Sequence, residues 1–438
     1  MSDKSEISIL DSACRSVAEA VDAQRLQRRL RGLAEFGAID TGGISREALT
    51  RQELVGRRWL VQDFASRSGY VVGIDEAANV VIRRLGQSVD AEPVMTGSHA
   101  DTQPVGGWLD GAFGVVAGLE VFEALDALNI STHRSLDVVM WTNEEGSRFS
   151  PGLMGSVSYT SPERLQAFLS VSDREGITFR EARDAAVSDF TEYAHQQGWT
   201  LMGRTLGMPV HAYIESHIEQ GPVLEDERLQ VGCVTGIQGV RWFQIMVSGR
   251  SAHAGTTPLL NRDDAQVKAI ELAHTLINYS KNVDDDRLRL TLGRWHCEPG
   301  SINTIADRVT FTVDVRHPDA QALDQVQRII ESALPSGARM DVLQSKSTVQ
   351  FDSHLVEMIN HICESLAIEH RPMLSGAFHD AMPMAEFCPT AMIFAPSIKG
   401  VSHHPSEDTN LEDLTASTKV LAWSLLQLAQ LHFDSTTR

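Results

Sequence analysis

The 438-residue chain has few cysteines and no pattern that would pair them. Its five cysteines are an odd number and form no C-x-x-C pair, which argues against a disulfide framework and a thiolate zinc site. Long apolar runs are also missing, because no stretch approaches the roughly 18–20 uncharged apolar residues of a membrane-spanning helix. The opening residues lack a basic segment followed by an apolar one. We therefore expect no secretory signal, no membrane partner and a cytoplasmic protein.

Basic residues are scarce relative to acidic ones. Lys plus Arg number 38 and Asp plus Glu number 58, so the formal net charge is −20. A surface this acidic repels phosphate backbones, which argues against a nucleic-acid partner. The hydrophobic fraction of 42% and the charged fraction of 22% are ordinary for a globular protein of two or three domains.

Apolar strands alternate with amphipathic helices along the chain, which predicts an α/β fold. From about residue 239 the pattern restarts as a compact unit with the order βαββαβ. Its predicted strands are 241–248, 287–295, 308–316 and 339–343, and its predicted helices are 263–279 and 320–334. This order is that of a ferredoxin-like α+β unit, inserted into the larger α/β domain.

Potential metal ligands follow three predicted strands at the point where each strand ends. His99 and Asp101 follow the first strand, Glu144 and Glu145 follow the second, and His217 lies at the end of the third. In open α/β sheets, ligands gather beyond the carboxyl ends of the strands. We therefore expect these side chains to lie together, with the Asp101 carboxylate hydrogen-bonded to the second ring nitrogen of His99.

Each of these features also has an ordinary explanation. A histidine near a strand end is usually structural, paired glutamates usually lie in a solvated loop, and Asp110 could only cap the helix that follows it. The glycines around Asp110 lack the G-x-G-x-x-G spacing of a dinucleotide site. The coincidence of three apolar strands, each followed by His or Glu, favours a functional site.

Seven ordered segments carry a resemblance to a known family. They are GSHADTQPVGGWLDG, WTNEEGSRF, HIEQGPVLE, SGRSAHAGTTP, PGSINTIADRVTFTVDVRHPD, SGAFHDAM and VSHHPSEDT. With these segments, the chain resembles the metal-dependent amidohydrolases of the aminoacylase and carboxypeptidase superfamily. It is most similar to the N-carbamoyl-L-amino acid hydrolases, with allantoate amidohydrolase and bacterial-type β-ureidopropionase as siblings.

The resemblance implies a mixed-sheet, three-layer catalytic domain at 1–236 and 346–438, with an inserted ferredoxin-like lid and dimerisation domain at 237–345. It also implies two divalent ions per subunit, Zn²⁺, Mn²⁺ or Co²⁺, which share a hydroxide. One ion would be held by His99, Asp110 and His217, and the other by Asp110, Glu145 and His403. Glu144 would be the general base, and Asp101 is also counted with the catalytic residues.

Further implied residues concern the substrate. His253 would stabilise the oxyanion from the partner subunit of a homodimer, and Arg316 would bind a substrate carboxylate with the help of Asn303. Gln220 matches a substrate-contacting position, and Phe378 and His379 are also counted with the substrate-binding residues. Phe378, next to His379 and Asp380, stands where glycine is usual, and Trp108 where a basic or polar residue is usual. Both departures bear on which substrate is bound.

The sequence therefore predicts a dimeric hydrolase of a linear amide or ureido C–N bond in a small carboxylated substrate, most simply an N-carbamoyl-L-amino acid. Allantoate, and an N-acyl amino acid or dipeptide, are the alternative substrates. The histidine in HIEQGP favours the ureido branch. A non-catalytic binding protein on the same scaffold is disfavoured by the presence of Glu144, and a partner scaffold has no support in the sequence.

Overall fold

The computed structural model describes residues 2–40, 42–88 and 90–430. The chain forms two compact units. The sheet unit comprises Met1–Thr235 and Phe351–Arg438, and the inserted unit comprises Gly236–Gln350. The insertion predicted from the sequence spans 237–345.

Helices occur in both units. They are α1 (Ser2–Glu19), α2 (Ala23–Ala34), α3 (Arg51–Ala65), α4 (Ala112–Ala127), α5 (Met154–Thr160), α6 (Leu165–Phe168), α7 (Phe179–Gln197), α8 (Val223–Glu227), α9 (Ala265–Asn282), α10 (Ala320–Ala333), α11 (Ser353–Ser365), α12 (Ala381–Met384) and α13 (Leu411–Gln430). Short 3₁₀ turns lie at Pro162–Arg164, Leu259–Asn261 and Ile398–Gly400.

The strands form two sheets. They are β1 (Tyr70–Ile74), β2 (Val80–Arg84), β3 (Val94–His99), β4 (Leu136–Trp141), β5 (Ala212–Ile218), β6 (Val231–Ile237), β7 (Gly239–Ser248), β8 (Arg289–Glu298), β9 (Arg308–His317), β10 (Ala338–Lys346), β11 (Val349–Gln350), β12 (His370–Ser375) and β13 (Thr390–Ala395).

The sheet unit is built on a mixed sheet with the strand order β1-β2-β4-β3-β5-β13-β6, and β12 also pairs with β6. The four central strands, β4, β3, β5 and β13, are parallel to one another. β1, β2 and β6 join them by antiparallel pairing. The carboxyl ends of the four parallel strands therefore lie at one edge of the sheet.

Every residue of β3, β4, β5 and β13 is buried. A strand that is buried throughout must be covered on both faces, so this sheet lies between two further layers. The helices that pack on it include α4 on β3, β4 and β5, and α11 and α13 on β13. The predicted mixed α/β fold is confirmed.

The inserted unit has the element order β7-α9-β8-β9-α10-β10. Its four-stranded antiparallel sheet has the order β10-β7-β9-β8. Alternate residues of β9, from Val309 to His317, are buried, and the residues between them face away from the core. α9 and α10 complete the core with Leu272, Leu276, Val326 and others. The predicted ferredoxin-like order of elements is therefore present.

Some local details differ from the sequence-based predictions. Helix α4 begins at Ala112, and the residue before it is Gly111 rather than the predicted cap Asp110, because Gly111 has a φ of 63° and interrupts the helical backbone. Helix α9 begins at Ala265, since the Asp264 side chain accepts hydrogen bonds from Gln266 N and Val267 N as an N-cap. Helix α1 was not anticipated. None of the described helices combines the length and the apolar character that crossing a membrane requires.

Candidate metal centre and active site

The candidate site is built from loops and residues at the carboxyl edge of the four parallel strands. His99 is the last residue of β3, Glu144 and Glu145 follow β4, and His217 lies near the end of β5. β13 supplies a fourth strand end, which leads into the segment with His403. The carboxyl ends of parallel strands lie at the same edge of a sheet, so residues far apart in the sequence meet here.

Asp110 lies at the centre of this cluster. Its Oδ1 atom is 3.1 Å from Nε2 of His217 and 3.7 Å from Nε2 of His99. Its Oδ2 atom is 3.0 Å from Nε2 of His403, which is itself 3.5 Å from Oε2 of Glu145. The two carboxylate oxygens of Asp110 therefore face two different sets of side chains.

These distances define groups of side chains that could hold a metal ion. Among the described residues the groups are His99–Asp110–His217, Asp110–Glu145–His403 and Glu215–His217–His379, each with its ligand atoms within 4.8 Å of one another. The first two share Asp110. The third shares His217 with the first, but its Glu215 already accepts hydrogen bonds from Ser98 Oγ and Ala381 N, at 2.6 and 2.8 Å.

His99 and His217, the two buried histidines of the first group, both direct their Nε2 atom towards Asp110. Nδ1 of His99 lies 2.9 Å from the backbone oxygen of Asp101, and Nδ1 of His217 lies 2.9 Å from that of Ile218. A carbonyl oxygen only accepts, so Nδ1 carries the proton in each ring and Nε2 of the neutral ring keeps its lone pair. That is the tautomer a metal ligand requires, with the orienting carbonyl that such ligands usually have.

The side chains of the two glutamates are largely withdrawn from solvent. The side chains of Glu144 and Glu145 are 9% and 5% exposed. The Glu145 carboxylate accepts two hydrogen bonds from Gln103, one from the Gln103 backbone N–H at 3.2 Å and one from the Gln103 side-chain amide at 2.7 Å. Glu144 places Oε2 3.5 Å from Nε2 of His99. The solvated-loop explanation for this pair is therefore wrong.

The site concentrates negative charge out of water. Burial, followed by the carboxylates of Asp380 and Glu145, raises the pKa of Glu144 well above its ordinary value. Burial and the charge of Asp110 raise the pKa of Glu145 to about 8. Burial lowers the pKa of His217, but the hydrogen bond to Asp110, the charges of Asp110 and Glu215 and the bond to the Ile218 carbonyl together outweigh this effect and raise the pKa to about 9. Without a cation, protons bound to these side chains thus neutralise part of the negative charge. A divalent cation would neutralise this charge when bound.

Asp101 does not make the predicted contact with its carboxylate. Oδ1 of Asp101 is 3.7 Å from Nδ1 of His99, too far for a hydrogen bond, and the backbone oxygen of Asp101 takes that role. Its carboxylate instead accepts from the backbone N–H groups of Glu144 and Glu145, at 3.4 and 3.3 Å. Asp101 therefore connects the loop after β3 with the loop after β4.

Asp110 is also not a helix cap. The residue before helix α4 is Gly111, and the Asp110 carboxylate accepts from Gln220 Nε2 at 2.9 Å. A Cβ atom at Gly111 would overlap the ring of His99, and its positive φ disfavours any other residue there. Glycine at this position thus allows Asp110 and His99 to approach each other.

Left-handed backbone occurs at non-glycine residues in three of the four loops at this edge. Asn143 precedes Glu144 with a φ of 55°, Gln220 follows β5 with a φ of 58°, and His403 itself has a φ of 55°. Such conformations are costly and cluster at functional sites. Their occurrence beside the metal groups supports a functional interpretation of this edge.

Two further predicted residues of the sheet unit lie in the segment after β12. His379 is buried, its ring centre is 4.4 Å from that of His217, and its Nε2 atom is 3.0 Å from Ser375 Oγ. Phe378 next to it is half-buried. His379 therefore contacts the metal group.

Three predicted residues belong to the inserted unit. His253 accepts backbone N–H bonds from Gly255 and Thr256 at Nδ1, so its proton lies on Nε2 and can be donated. The segments of His253 and Asn303 are joined by the hydrogen bond from Ala254 N to the backbone oxygen of Asn303, at 3.0 Å. Arg316 lies on the face of β9 away from the core and is paired with Asp314 at 3.0 Å.

Glu407 and Ser402 also lie at the site, although no role for either is predicted from the sequence. Glu407 is buried, and its carboxylate accepts from the backbone N–H of Asp110 and from Ser402 Oγ, at 3.0 and 2.8 Å. The segment VSHHPSEDT contains both residues, but nothing in its letters indicates a partner near residue 110. Trp108 donates its indole N–H to the backbone oxygen of Glu407 at 3.0 Å, and it lines an open cavity of about 310 Å³ beside Arg31.

Comparison with known proteins agrees with this geometry. The sequence pattern of peptidase family M20/M25/M40 matches residues 95–427. The chain belongs to this family. The N-carbamoyl-L-amino-acid amidohydrolase of Rhizobium meliloti is 34% identical over 423 residues, which cover 94% of this chain and 97% of the relative.

Two further similar proteins show which members of the M20/M25/M40 family this chain resembles. The allantoate amidohydrolase of Escherichia coli (strain K12) is 34% identical over 415 residues, covering 93% of this chain and 98% of the relative. The crystal structure of a hydantoinase/carbamoylase family amidase from Burkholderia multivorans has a TM-score of 0.83 and 37% identity, covering 93% of this chain and 98% of that one. The predicted resemblance to amidohydrolases of non-peptide C–N bonds is confirmed.

The donor set of this M20/M25/M40 chain fits divalent metal ions. The first two groups combine imidazole nitrogens and carboxylate oxygens without a thiolate, a set that suits Zn²⁺, Mn²⁺ or Co²⁺. Nε2 lone pairs and carboxylate oxygens face one another across 3.0–3.7 Å, where only a proton or a cation makes the approach favourable. The residues therefore fit a metal centre.

Proposed function

We propose that this protein hydrolyses the ureido C–N bond of N-carbamoyl-L-amino acids and releases the amino acid, CO₂ and ammonia. The observation that carries this proposal is the placement of Asp110, whose Oδ1 faces His217 and His99 while its Oδ2 faces His403. A carboxylate so placed can bridge two ions. The names of relatives that align over nearly the whole chain support the ureido substrate.

The proposed centre holds two divalent ions. His99, Asp110 and His217 would hold one ion, and Asp110, Glu145 and His403 would hold the other. When bound, such a pair supplies Lewis-acid polarisation of the scissile carbonyl. Asp101 and Gln103 would keep the two glutamates in place through the hydrogen bonds described above.

Glu144 is the proposed general base. Its Oε2 atom would accept a proton from the attacking water and deliver it to the leaving nitrogen. A base suits this cycle when its pKa lies nearer the working pH than that of a free carboxylate, and the burial of Glu144 raises its pKa in that direction.

The substrate contacts complete the proposal. Gln220, His379 and Phe378 would border the substrate in the sheet unit, and Asn303 and Arg316 would bind its carboxylate. Nε2–H of His253 would stabilise the oxyanion from the partner subunit of a homodimer, since its Nδ1 already accepts two backbone N–H groups. The dimeric state and the cytoplasmic location both stay predictions. Sedimentation of the purified protein can check the dimeric state.

Replacing Arg316 by lysine tests the carboxylate contact. Lysine keeps the charge but loses the planar fork that matches a carboxylate. A charged hydrogen bond contributes about 1.5–3 kcal/mol, and each 1.4 kcal/mol is a factor of ten. We therefore expect KM for carboxylated substrates to rise about 10–100-fold in Arg316→Lys. The free amide of the same substrate is the control: it should be a poor substrate of the natural enzyme and should hardly respond to the change. Equal effects on both would refute the contact.

Replacing Phe378 by glycine tests the pocket. If the ring faces the substrate, its removal opens volume near the metal groups and should broaden the range of accepted side chains. Measurement of kcat/KM over a series of substrates of increasing size decides the question. An unchanged order of preference together with a lower melting temperature would instead assign Phe378 to the core.

The proposed activity is tested by ammonia release. The substrates are N-carbamoyl-L-amino acids, allantoate, N-acetyl amino acids and dipeptides, with formation of the free amino acid measured for the last two. We expect the highest kcat/KM for an N-carbamoyl-L-amino acid. A higher value for allantoate would move the assignment to that substrate, which the relative from Escherichia coli makes the second candidate. Turnover only of peptides or N-acyl amino acids would refute the ureido assignment.

A further inference from the structure

Glu407 has a buried carboxylate that the mechanism above does not use. Its side chain is nearly inaccessible, at 1% exposure. Its Oε1 atom accepts hydrogen bonds from Leu109 N at 2.9 Å and Asp110 N at 3.0 Å, and its Oε2 atom accepts from Ser402 Oγ at 2.8 Å. All of these donors lie in the two segments that carry Asp110 and His403.

We propose that Glu407 is a positioning residue that fixes the Asp110 segment against the His403 segment, and thereby sets the second metal group. The two segments lie far apart in the sequence, and Asp110 and Glu407 are separated by 297 residues. Their ligand atoms, Oδ2 of Asp110 and Nε2 of His403, must nevertheless stay 3.0 Å apart. The proposal rests on the metal centre proposed above.

Ser402 extends this connection to the Asp110 side chain. Its hydroxyl donates its single proton to Oε2 of Glu407 at 2.8 Å and accepts from Gln220 Nε2 at 3.1 Å, and the same Nε2 donates to Oδ2 of Asp110 at 2.9 Å. One carboxylate thus holds the backbone of Asp110 directly and its side chain through Ser402 and Gln220. His403 is the next residue in the chain, so its position depends on the same bond.

The packing around Glu407 also indicates a built contact. A Cβ atom at Gly107 would overlap the Glu407 carboxylate, so only glycine allows the carboxylate to come this close to the segment before Asp110. The backbone oxygen of Glu407 accepts the indole N–H of Trp108 at 3.0 Å. Glu407 therefore contacts three consecutive residues, from Trp108 to Asp110.

Loss of this carboxylate would leave two buried backbone N–H groups without an acceptor and would release the two segments from each other. Changes in residues that orient metal ligands typically weaken metal binding by about 10–100-fold. We expect that effect at the second group, Asp110–Glu145–His403. The first group should change less, because His99 and His217 are each held by a backbone carbonyl.

The test measures the binding of Zn²⁺ to the metal-stripped full chain by competition with a chromophoric chelator. Glu407→Ala should retain one tight site and bind the second Zn²⁺ about 10–100-fold more weakly. Glu407→Gln should restore binding to within about 3-fold, because its amide oxygen can accept both N–H groups and its NH₂ can donate to Ser402.

Asp75→Ala is the matched control. Asp75 is also buried, and its Oδ1 atom accepts two backbone N–H groups, from Ala77 and Asn79, at 2.9 Å each. This variant should lose thermal stability while it keeps both Zn²⁺ affinities. A similar loss of the second Zn²⁺ in Asp75→Ala would show that general loosening suffices and would overturn the proposal.

A second variant approaches the same contact from the other side. Gly107→Ala should push the Glu407 carboxylate away and weaken the second Zn²⁺, but it should add little in the Glu407→Ala background, where the space is free. Additive effects in this double-mutant cycle would contradict the proposal. If the natural protein binds no Zn²⁺ at all, the proposed metal centre fails. If it binds two ions and Glu407→Ala binds both equally well, only the role of Glu407 fails.

Discussion

Replacing Glu144 by glutamine should lower kcat about 10²–10⁴-fold while the metal content stays unchanged. The expected loss is the usual contribution of a general base, since the amide can neither accept the proton from water nor deliver it to the leaving nitrogen. The fall should be in kcat rather than in KM, because the missing interaction is made in the transition state. Steady-state kinetics with elemental analysis of the same sample measure both quantities.

Glu145→Gln is the matched control, as it makes the same chemical change one residue further along. Glu145 faces His403 at 3.5 Å and belongs to the second metal group, so its amide variant should lose metal. Excess metal should restore part of the activity of Glu145→Gln and none of that of Glu144→Gln. Equal loss of metal in both variants would contradict the assignment of base and ligand to these neighbours.

Removal of metal should abolish turnover completely. Without cations, Glu144 and Glu145 take up protons, as their raised pKa values indicate, and the scissile carbonyl is left without polarisation. Dialysis against a chelator should therefore leave no detectable ammonia release. Addition of Zn²⁺, Mn²⁺ or Co²⁺ should restore it, with two ions bound per chain at full activity.

Magnesium is a useful control for this experiment, because an ion that prefers oxygen ligands should restore little activity at a site rich in imidazole. Full turnover by a sample shown by elemental analysis to hold no metal would refute the metal centre. Saturation of activity at one ion per chain would refute the role of Asp110 as a bridge.

The convergence of the site could be predicted from the sequence because it follows from topology. His99, Glu144 and His217 each end or follow a strand, and parallel strands deliver such residues to one edge of the sheet. The choice between His403 and His404 needed the family resemblance, since adjacent residues cannot be separated by a strand pattern. In the structure, His403 faces Asp110 at 3.0 Å, whereas Nδ1 of His404 is 2.8 Å from Ser406 Oγ.

The contacts that orient the ligands could not be predicted in this way. Asp101 lies two residues from His99, and its carboxylate was expected to bond the ring, but its backbone oxygen does so instead. Local spacing does not decide which acceptor of a residue turns towards a neighbour. Glu407 accepts from the backbone N–H groups of Leu109 and Asp110, and any residue type other than proline offers the same donor, so the identity of these two residues does not indicate the contact.

The central claim is that Asp110 bridges two ions, and anomalous diffraction from crystals of the Mn²⁺-loaded protein tests it most directly. The account predicts two anomalous peaks about 3.5–4 Å apart, one on either side of the Asp110 carboxylate. One peak should lie next to His99 and His217, and the other next to Glu145 and His403. A single peak between Glu215, His217 and His379, or two peaks of which neither contacts Asp110, would contradict it.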